Sequence, residues 1–338
     1  MKYIVFYFAI IFSLSALYRP SEVHIAEAVS AANGGSSVSL FPKVQTISQN
    51  PSGVMLTGFR KLTLGVDGRE FLNKILINSR KVSINSLPYA ALTIPWKERL
   101  ATGVMFYTDF VHSNPTTDFF RYNSELIISV KIMSQLVAGI SSGLSTGVEA
   151  LRYTGYGYTG SLSLFYKNRN INFGFLYRNS SPLYYKMNAM GYPLKEIFPG
   201  IMKAGLTYTH PKFSITTDFE KIFWHHSRYI ENGLDLTPPI QTDKYFYIHP
   251  HISAAFPFHL YTDVTIRSGF FTADNFDYDG SSRRIFYYTI GSGLPLGTTI
   301  WSTPIQLNVA WVSSWIFSLL IKDNLQQEQF YALVALSI

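Results

Sequence analysis

The protein has 338 residues, of which 16% are aromatic and only 14% are charged, a mixture that favours β-strands. Its 23 glycines and 16 prolines are spread along the chain, which excludes collagen-like and low-complexity classes. The formal net charge of +7 is not gathered into basic runs, which argues against nucleic-acid binding, and the lack of cysteine excludes disulfide frameworks, cysteine–zinc sites and thiol nucleophiles.

The N-terminus predicts an export signal. Lys2 precedes an apolar run over residues 3–17, which is shorter than the about 20 residues that a membrane-spanning helix needs. Arg19 ends this run, and the small residues Ala26 and Ala28 frame a cleavage site. We therefore predict a signal peptide over residues 1–28, with an uncleaved anchor as the alternative.

Two regions follow the leader. Residues 29–53 are small and polar with little strand character, whereas from Val54 to Ile338 one strand follows another. Residues 200–224 show the pattern well. There, Leu206 and Tyr208 alternate with polar residues before the break at His210 and Pro211. Two such amphipathic strands around a two-residue break predict a β-hairpin.

The predicted connections alternate in length. Short ones fall at residues 97–99, 134–135, 168–170, 210–211, 256–257 and 295–299. Long, polar ones fall at residues 67–80, 112–118, 148–152, 179–199, 224–242, 273–282 and 316–328. A soluble sandwich has no reason to sort its loops in this way, whereas an outer-membrane barrel has short turns on one side and long loops on the other. The fold class predicted is all-β, a transmembrane antiparallel β-barrel of about 14 strands over residues 54–338.

Aromatic residues and prolines add detail to this prediction. Trp96, Trp224, Trp301 and Trp315 come at predicted strand ends, where a barrel carries its aromatic girdles. Pro88, Pro250 and Pro304 fall inside predicted strands and remove ladder donors there, so each predicts a bulge or kink. A kinked strand can open a lateral gap in the wall, although a harmless local bulge is the simpler interpretation.

Three motifs with catalytic or metal-binding associations are better explained as parts of strands. Ser141 stands in a G-x-S-x-G match, and residues 155–160 match G-x-G-x-x-G, but neither is followed by the helix that these motifs need. His249 and His251 share one strand face without a third ligand at metal-site spacing. We predict no enzyme activity, no cofactor and no metal site.

The residues just before the first strand carry a resemblance to a known family. Asn50, Pro51, Ser52 and Gly53 resemble the Asn-Pro-Ala-Gly hatch signature of the FadL family of outer-membrane transporters, with Ser52 in place of Ala. Further similarities lie at Pro199, Gly205, Tyr208, Asp218 and Trp224, at Arg267 and Gly269, and at Gly291 and Gly293. The segment before Asn50 is short, which implies a reduced plug, and the last residue, Ile338, is not the usual aromatic.

The resemblance implies a function. It implies a 14-stranded barrel with a hatch, here residues 29–53, in the bacterial outer membrane. The barrel would pass hydrophobic solutes such as long-chain fatty acids inward by diffusion. The implied partners are outer-membrane lipid, the solute and the barrel-assembly machinery during biogenesis, and the expected state is a monomer that binds no nucleic acid. The alternative is a barrel of the PorV type, or another structural barrel, that acts with a protein partner in secretion.

The substrate-binding candidates are charged residues on predicted lumen faces. Lys203 lies on the polar face of its strand, and Asp263 and Arg267 share the polar face of another. Asp263 and Arg267 either pair with each other inside the barrel, or Arg267 holds the carboxylate of an amphipathic solute, a contact that suits a guanidinium group. In the second case the turn at residues 50–53 is expected to hold the plug beneath Arg267.

Overall fold

A computed structural model gives the protein's fold. It describes residues 22–23, 28–36, 38–40, 47–56, 61–69, 85–113, 118–149, 153–187, 191–237, 248–259, 263–276, 282–300, 303–314 and 328–337. Strands dominate these residues. No helix among them is long and apolar enough to cross a membrane.

Fourteen antiparallel strands close into a barrel, as predicted. They are β1 (Lys61–Arg69), β2 (Asn85–Lys97), β3 (Leu100–Ser113), β4 (Asp118–Lys131), β5 (Leu136–Glu149), β6 (Tyr153–Asn168), β7 (Ile171–Arg178), β8 (Ile201–His210), β9 (Phe213–Ile222), β10 (Ile248–His259), β11 (Asp263–Phe276), β12 (Ser282–Ile300), β13 (Thr303–Ser313) and β14 (Glu328–Ser337). Each strand pairs with the next, and β14 pairs with β1, where Leu336 lies opposite Leu62. Every one of these described strands therefore has a partner strand on both sides over at least part of its length.

The two strand faces separate as the sequence predicts. In β8, Leu206 and Tyr208 are exposed on the outside while Lys203 and Thr207 are buried inside. The same alternation gives the outer surface a broad belt of exposed Leu, Ile, Val, Phe and Tyr side chains. An apolar belt around a closed ladder is typical of a transmembrane barrel, because lipid solvates the belt and the ladder satisfies the backbone.

The connections sort the two ends of the barrel. At one end of the barrel, which we call the short-turn end, the strands are joined by short connections at residues 98–99, 169–170, 211–212 and 301–302. Residues 70–84, 179–200, 223–247 and 314–327 join strands at the other, the long-loop end. The alternation is less strict than predicted, since only residues 150–152 separate β5 from β6 at the long-loop end.

Several predicted boundaries are wrong. The first strand begins at Lys61, because residues 51–56 form a 3₁₀ helix rather than a strand. Residues 256–257 are not a turn, since Phe256 and Pro257 pair with Ile266 and Thr265 inside the β10–β11 ladder. The break predicted at residues 295–299 is a register irregularity within the β12–β13 ladder, which continues to Ile300.

The tryptophans fit the girdle prediction only in part. Trp96 is exposed at the end of β2 and donates from Nε1 to Thr102 Oγ1 at 2.7 Å. Trp224 is instead buried under the long loops, where its indole ring packs edge-on against Phe110. Trp301 and Trp315 lie outside the described residues.

The described residues before β1 fill the barrel interior. A short helix, α1 (Ala28–Ala32), packs against β12 and β13, and the 3₁₀ helix Pro51–Leu56 packs against β4 and β5. Together with residues 33–36, 38–40 and 47–50 they form what we call the hatch. The hatch touches opposite parts of the wall, and its described side chains are nearly all buried.

Glycines let the hatch approach the wall closely. A Cβ at Gly269 of β11 would lie 2.6 Å from the backbone nitrogen of Gly34, and one at Gly291 of β12 would lie 2.5 Å from Ala32 Cβ. A Cβ at Gly174 of β7 would overlap the carbonyl oxygen of Val38. Glycine at these positions lets the hatch pack directly against the backbone of the wall, and any residue with a Cβ would push the hatch away.

Candidate functional site

The ladder between β2 and β3 is incomplete. The two strands pair from Lys97 and Leu100 at the short-turn end up to Ala90 and Phe106, and the pairing stops there although both strands continue. Residues 85–89 of β2 go on pairing with β1 alone. We call this interruption, between residues 85–89 and 107–113, the wall opening. It lies in the half of the barrel nearer the long loops.

Two features of the strands explain the opening. Pro88 has no backbone N–H to donate to a neighbouring strand, and it lies in the part of β2 that pairs with β1 but not with β3. Asp109 is an extra residue in β3, because Thr108 pairs with Tyr122 and Phe110 with the adjacent Arg121. Residues 107–110 are all buried instead of alternating, so this part of β3 bends into the barrel.

An ion cluster holds the bulge. Arg121 donates from Nε to Asp109 Oδ1 at 2.8 Å and from Nη2 to Oδ2 at 2.5 Å, a bidentate contact, and its Nη1 bonds to Ser181 Oγ at 2.7 Å. Arg178 Nη1 lies 3.6 Å from Asp109 Oδ2. All three charged groups are buried, and we call them the Asp109 cluster. Charge-assisted bonds of this kind are about twice as strong as neutral ones.

Aromatic rings and loop strands cover the Asp109 cluster. The Arg121 guanidinium lies 4.7 Å from the ring centroid of Phe110 and 4.5 Å from that of Phe198. Phe198 ends the loop strand Leu194–Phe198, which pairs with Ser181–Tyr185. The wall opening is therefore attached to the long loops through packed side chains.

Apolar side chains also line the interior beside the opening, next to the Asp109 cluster. Tyr89, Met105 and Tyr107 flank the opening and are buried. They belong to one apolar cluster with other residues of β2–β4 and β11–β13 and with the hatch: Ala31, Ala32, Ile47, Val54, Ala91, Ala101, Ile127, Phe271, Ile285, Tyr287, Ala310 and Val312. The rings of Phe271 and Tyr287 stack at 4.7 Å between centroids. The lumen thus has an apolar side that continues to the opening.

Polar and charged side chains of β7–β9 bind the hatch. Asp218 accepts from the Val38 backbone N–H at 2.9 Å, and Arg178 Nη2 donates to the Ser48 carbonyl at 2.9 Å. Lys203 Nζ lies 2.8 Å from Glu220 Oε1. Lys203 also donates to Gln49 Oε1 at 2.9 Å, so it anchors the hatch rather than facing an open lumen.

The hatch motif lies against the polar side of the wall. Ser52 N–H donates to Ser163 Oγ at 2.8 Å, and its carbonyl accepts from Ser129 Oγ at 2.9 Å. Asn50 Nδ2 donates to the Val38 carbonyl at 2.5 Å, and Pro51 and Gly53 are buried in the same 3₁₀ turn. The motif therefore contacts β4 and β6. It lies against a different part of the wall from Arg267, which is on β11 and donates to Asn308 of β13.

The structure separates Asp263 and Arg267, which the sequence predicts to share one lumen face. Arg267 is buried on β11, where its Nη1 donates to Asn308 Oδ1 of β13 at 3.3 Å. Asp263 begins β11 at the short-turn end with 87% of its side chain exposed, and it lies 2.7 Å from His259 Nδ1. Asp263 therefore neither contacts Arg267 nor lines the lumen.

Ser141, His249 and His251 are strand residues that face inward, whereas Tyr156 and Tyr158 of the glycine-rich match are exposed on the outside. Ser141 hydrogen-bonds to Glu125 and Ser161 within a polar row that reaches Tyr107, whose hydroxyl donates to Glu125 Oε1 at 2.5 Å. His249 lies 2.9 Å from Asp274, and His251 Nδ1 lies 2.8 Å from the Gly34 carbonyl of the hatch. Within the described part of the chain, no three His, Asp or Glu residues are grouped to hold a metal ion.

Comparison with known proteins gives a fold match without close sequence relatives. No family model and no curated protein matches the sequence. Among solved structures, a FadL homologue of Pseudomonas aeruginosa is similar with a TM-score of 0.69, at 10% identity over 94% of this chain and 99% of that chain. The chain has the FadL-type barrel fold.

Two further structures share this FadL-type fold. The CymD monoaromatic hydrocarbon channel has a TM-score of 0.65 at 14% identity, covering 93% of this chain and 97% of that chain. The toluene transporter TodX of Pseudomonas putida has a TM-score of 0.61 at 13% identity, covering 92% and 97%. The similarity extends over nearly the whole length of each protein.

Proposed function

We propose that the protein is an outer-membrane channel through which hydrophobic solutes diffuse inward and leave sideways through the wall opening. The observation that carries this proposal is that the apolar lumen cluster reaches Tyr89 and Tyr107 at the wall opening, where the β2–β3 ladder is interrupted. The FadL-type fold of a hydrocarbon channel and a toluene transporter supports the same function. No bond is made or broken in this process.

The lateral exit follows from the position of the hatch. The hatch packs against both sides of the wall, so it obstructs a straight path along the barrel axis. An apolar solute gains by moving from an apolar lumen into the membrane without crossing water. The two-residue strand Glu22–Val23 pairs with Val111 and Phe110 at the free edge of β3. Removal of the leader would free this edge.

For the solute, we propose a neutral hydrocarbon rather than a fatty acid. Lys203 is held by Glu220, and Arg121 and Arg178 are held by Asp109, so a solute carboxylate at these cations would compete with an acid already in place. Arg267, whose Nη1 donates to Asn308 Oδ1, is the residue that the sequence assigns to carboxylate capture. If it acts so, Arg267→Leu should lower uptake of a labelled fatty acid and leave uptake of a labelled monoaromatic hydrocarbon unchanged.

Closing the wall opening tests the route. The chain has no cysteine, and residues 89 and 107 would face each other if the β2–β3 ladder grew by one pair. A disulfide needs Cα atoms about 4.4–6.8 Å apart, so oxidised Tyr89→Cys/Tyr107→Cys protein would hold the ladder closed. We expect hydrocarbon uptake to fall to the level of cells without the protein, and to return after reduction.

The control uses the neighbouring pair. Ala90 and Phe106 are already paired, so a disulfide between cysteines at these positions closes nothing. Uptake by Ala90→Cys/Phe106→Cys protein should be the same before and after oxidation. Normal uptake by the oxidised 89/107 variant, with its disulfide verified by mass spectrometry, would rule out the lateral route.

We also propose that the chain is exported with cleavage after Ala28, and that the long loops face the outside of the cell. The loop-length asymmetry supports this orientation, because outer-membrane barrels have short periplasmic turns. A protease site inserted within residues 186–193 should be cut on intact cells, while one at residues 211–212 should not. Cleavage at residues 211–212 alone would reverse the orientation, and the intact mass of the mature protein reports the cleavage site.

A further inference from the structure

A group of basic side chains lies where β9 ends at the long loops. It consists of Lys221, His225, His226 and Arg228, and we call it the rim patch. The two histidines and Arg228 are exposed, and Lys221 is partly buried. None of the four belongs to the apolar lumen cluster or to the contacts that hold the hatch.

The position of Lys221 places the rim patch at the edge of the apolar belt. Lys221 is on the outward face of β9, in the same row as the exposed Phe219. Its cross-strand neighbours are Met202 of β8 and Ile248 of β10. A lipid-facing lysine is costly at the bilayer midplane and costs almost nothing at the interface, where its ammonium group reaches water. Lys221 therefore marks the boundary between acyl chains and water.

The remaining side chains continue from this boundary towards the loops. Lys221 Nζ lies 5.4 Å from the ring centroid of Phe223, and that ring stacks on His226 at 6.0 Å. The rings of His225 and His226 are 3.9 Å apart. Arg228 Nη1 donates to the carbonyls of His225 and Ser227 at 2.8 and 2.7 Å, so the guanidinium is held beside the imidazoles.

The rim patch carries an excess of positive charge. Partial burial and the neighbouring His226, Lys221 and Arg228 lower the pKa of His225. Asp235 approaches the patch, with its Oδ2 3.8 Å from Arg228 Nε, but both side chains are about half exposed and water screens the pair. Cations fixed beside an apolar surface form a site for an amphipathic anion.

We propose that the rim patch binds the phosphate groups of lipid A in the outer leaflet of the membrane. Phosphate accepts several charge-assisted hydrogen bonds at once, which Lys221 and Arg228 supply, and the exposed imidazoles of His225 and His226 add ring N–H donors. The acyl chains of the same molecule would lie on the apolar belt beside Phe219, Met202 and Ile248. This inference rests on the outer-membrane location and the orientation proposed above.

Binding of diphosphorylated lipid A to the purified full-length protein in detergent tests the proposal. Each basic side chain beside an anionic lipid contributes about fivefold in affinity, so Lys221→Gln/Arg228→Gln should weaken binding about thirtyfold in a native mass-spectrometry titration. The control is Lys167→Gln/Lys212→Gln, which removes two exposed lysines at the short-turn end and should bind as the wild type does. Heat-dependent electrophoretic mobility checks that each variant is a folded barrel.

Further arms separate the possible sources of the effect. Arg228→Lys keeps the charge but loses the planar group that holds two carbonyls, so binding within threefold of wild type supports a charge-based site. Thirtyfold weaker binding in Arg228→Lys would assign Arg228 a structural role and overturn the proposal. Wild-type affinity in the double variant, or an equal loss of binding in the control, would overturn it as well.

Inorganic phosphate should not compete at millimolar concentration, and effective competition would overturn the lipid assignment. Hydrocarbon uptake is measured separately, so a wild-type protein that takes up hydrocarbon but does not bind lipid A would reject this site alone and leave the proposed channel function intact.

Discussion

Replacing Asp109 by asparagine should lower the free energy of unfolding by about 3–5 kcal/mol, the usual cost of breaking a buried ion pair from one side. Asp109 is the carboxylate that faces Arg121 and Arg178, and all three side chains are buried. Asparagine has nearly the same shape but no charge, so both guanidinium groups would stay in the interior without their anion. Urea unfolding from lipid bilayers, followed by tryptophan fluorescence, measures the change.

An exposed ion pair serves as the control. Asp235 lies 3.8 Å from Arg228, and both are about half exposed, so Asp235→Asn should cost less than about 1 kcal/mol. Adding Arg121→Leu to Asp109→Asn should recover part of the loss, because it removes one uncompensated charge. If the Asp109 and Asp235 variants are equally stable, the Asp109 cluster does not hold the bulge in β3.

Arginine at the middle of the apolar belt should also be strongly destabilising. Leu162 lies near the centre of β6 on its outward face and is exposed. If lipid surrounds this face, Leu162→Arg should lower stability by about 2–4 kcal/mol, whereas the same residue near the interface costs about 0–1 kcal/mol. Thr154 faces outward near the long-loop end of the same strand, so Thr154→Arg is the matched control. Equal effects at both positions would mean that the belt is not solvated by lipid.

The sequence predicts the barrel well because local pattern determines it. Alternation identifies the β8–β9 hairpin and its faces, and the structure pairs His210 with Phe213 across the predicted break. Several residues that carry the family resemblance also turn out to have one physical role. Gly205, Asp218, Gly269 and Gly291 all contact the hatch or would meet it through an added Cβ.

A proline gives a wrong turn prediction when the pairing of its strand is not known. Pro257 looks like a turn, yet it lies in a ladder that runs on to His259 and Asp263. On its other side β10 pairs with β9 only as far as Ala255, so the missing N–H of Pro257 faces no partner strand. The register between segments that are distant in the sequence decides whether a given residue has a partner on the neighbouring strand. The pattern of a single strand does not reveal this register.

The candidate site depends on such register and was not predictable in detail. The prediction that a proline could mark a lateral gap fits Pro88, but the gap also needs the bulge at Asp109, which appears only when β3 is aligned with β4. Asp263 and Arg267 alternate onto the same face of their strand, which is why the sequence suggests a pair. In the structure Asp263 is exposed at the short-turn end, whereas Arg267 is buried in the wall. Charge and alternation predict whether a side chain faces the lumen or the outside, but they do not predict its position along the barrel axis.

The position of the hatch in the chain constrains how the protein can assemble. The hatch precedes β1, and the barrel closes when β1 pairs with β14, at the far end of the sequence. That seam joins segments that are almost the whole chain apart, so it is the slowest contact to form by loop closure. Hatch residues approach the wall at backbone distance on β7, β11 and β12, and a closed ring would leave little room for them to thread in afterwards. We therefore expect the hatch to be in place before the seam between β1 and β14 forms, so that the wall is completed around it.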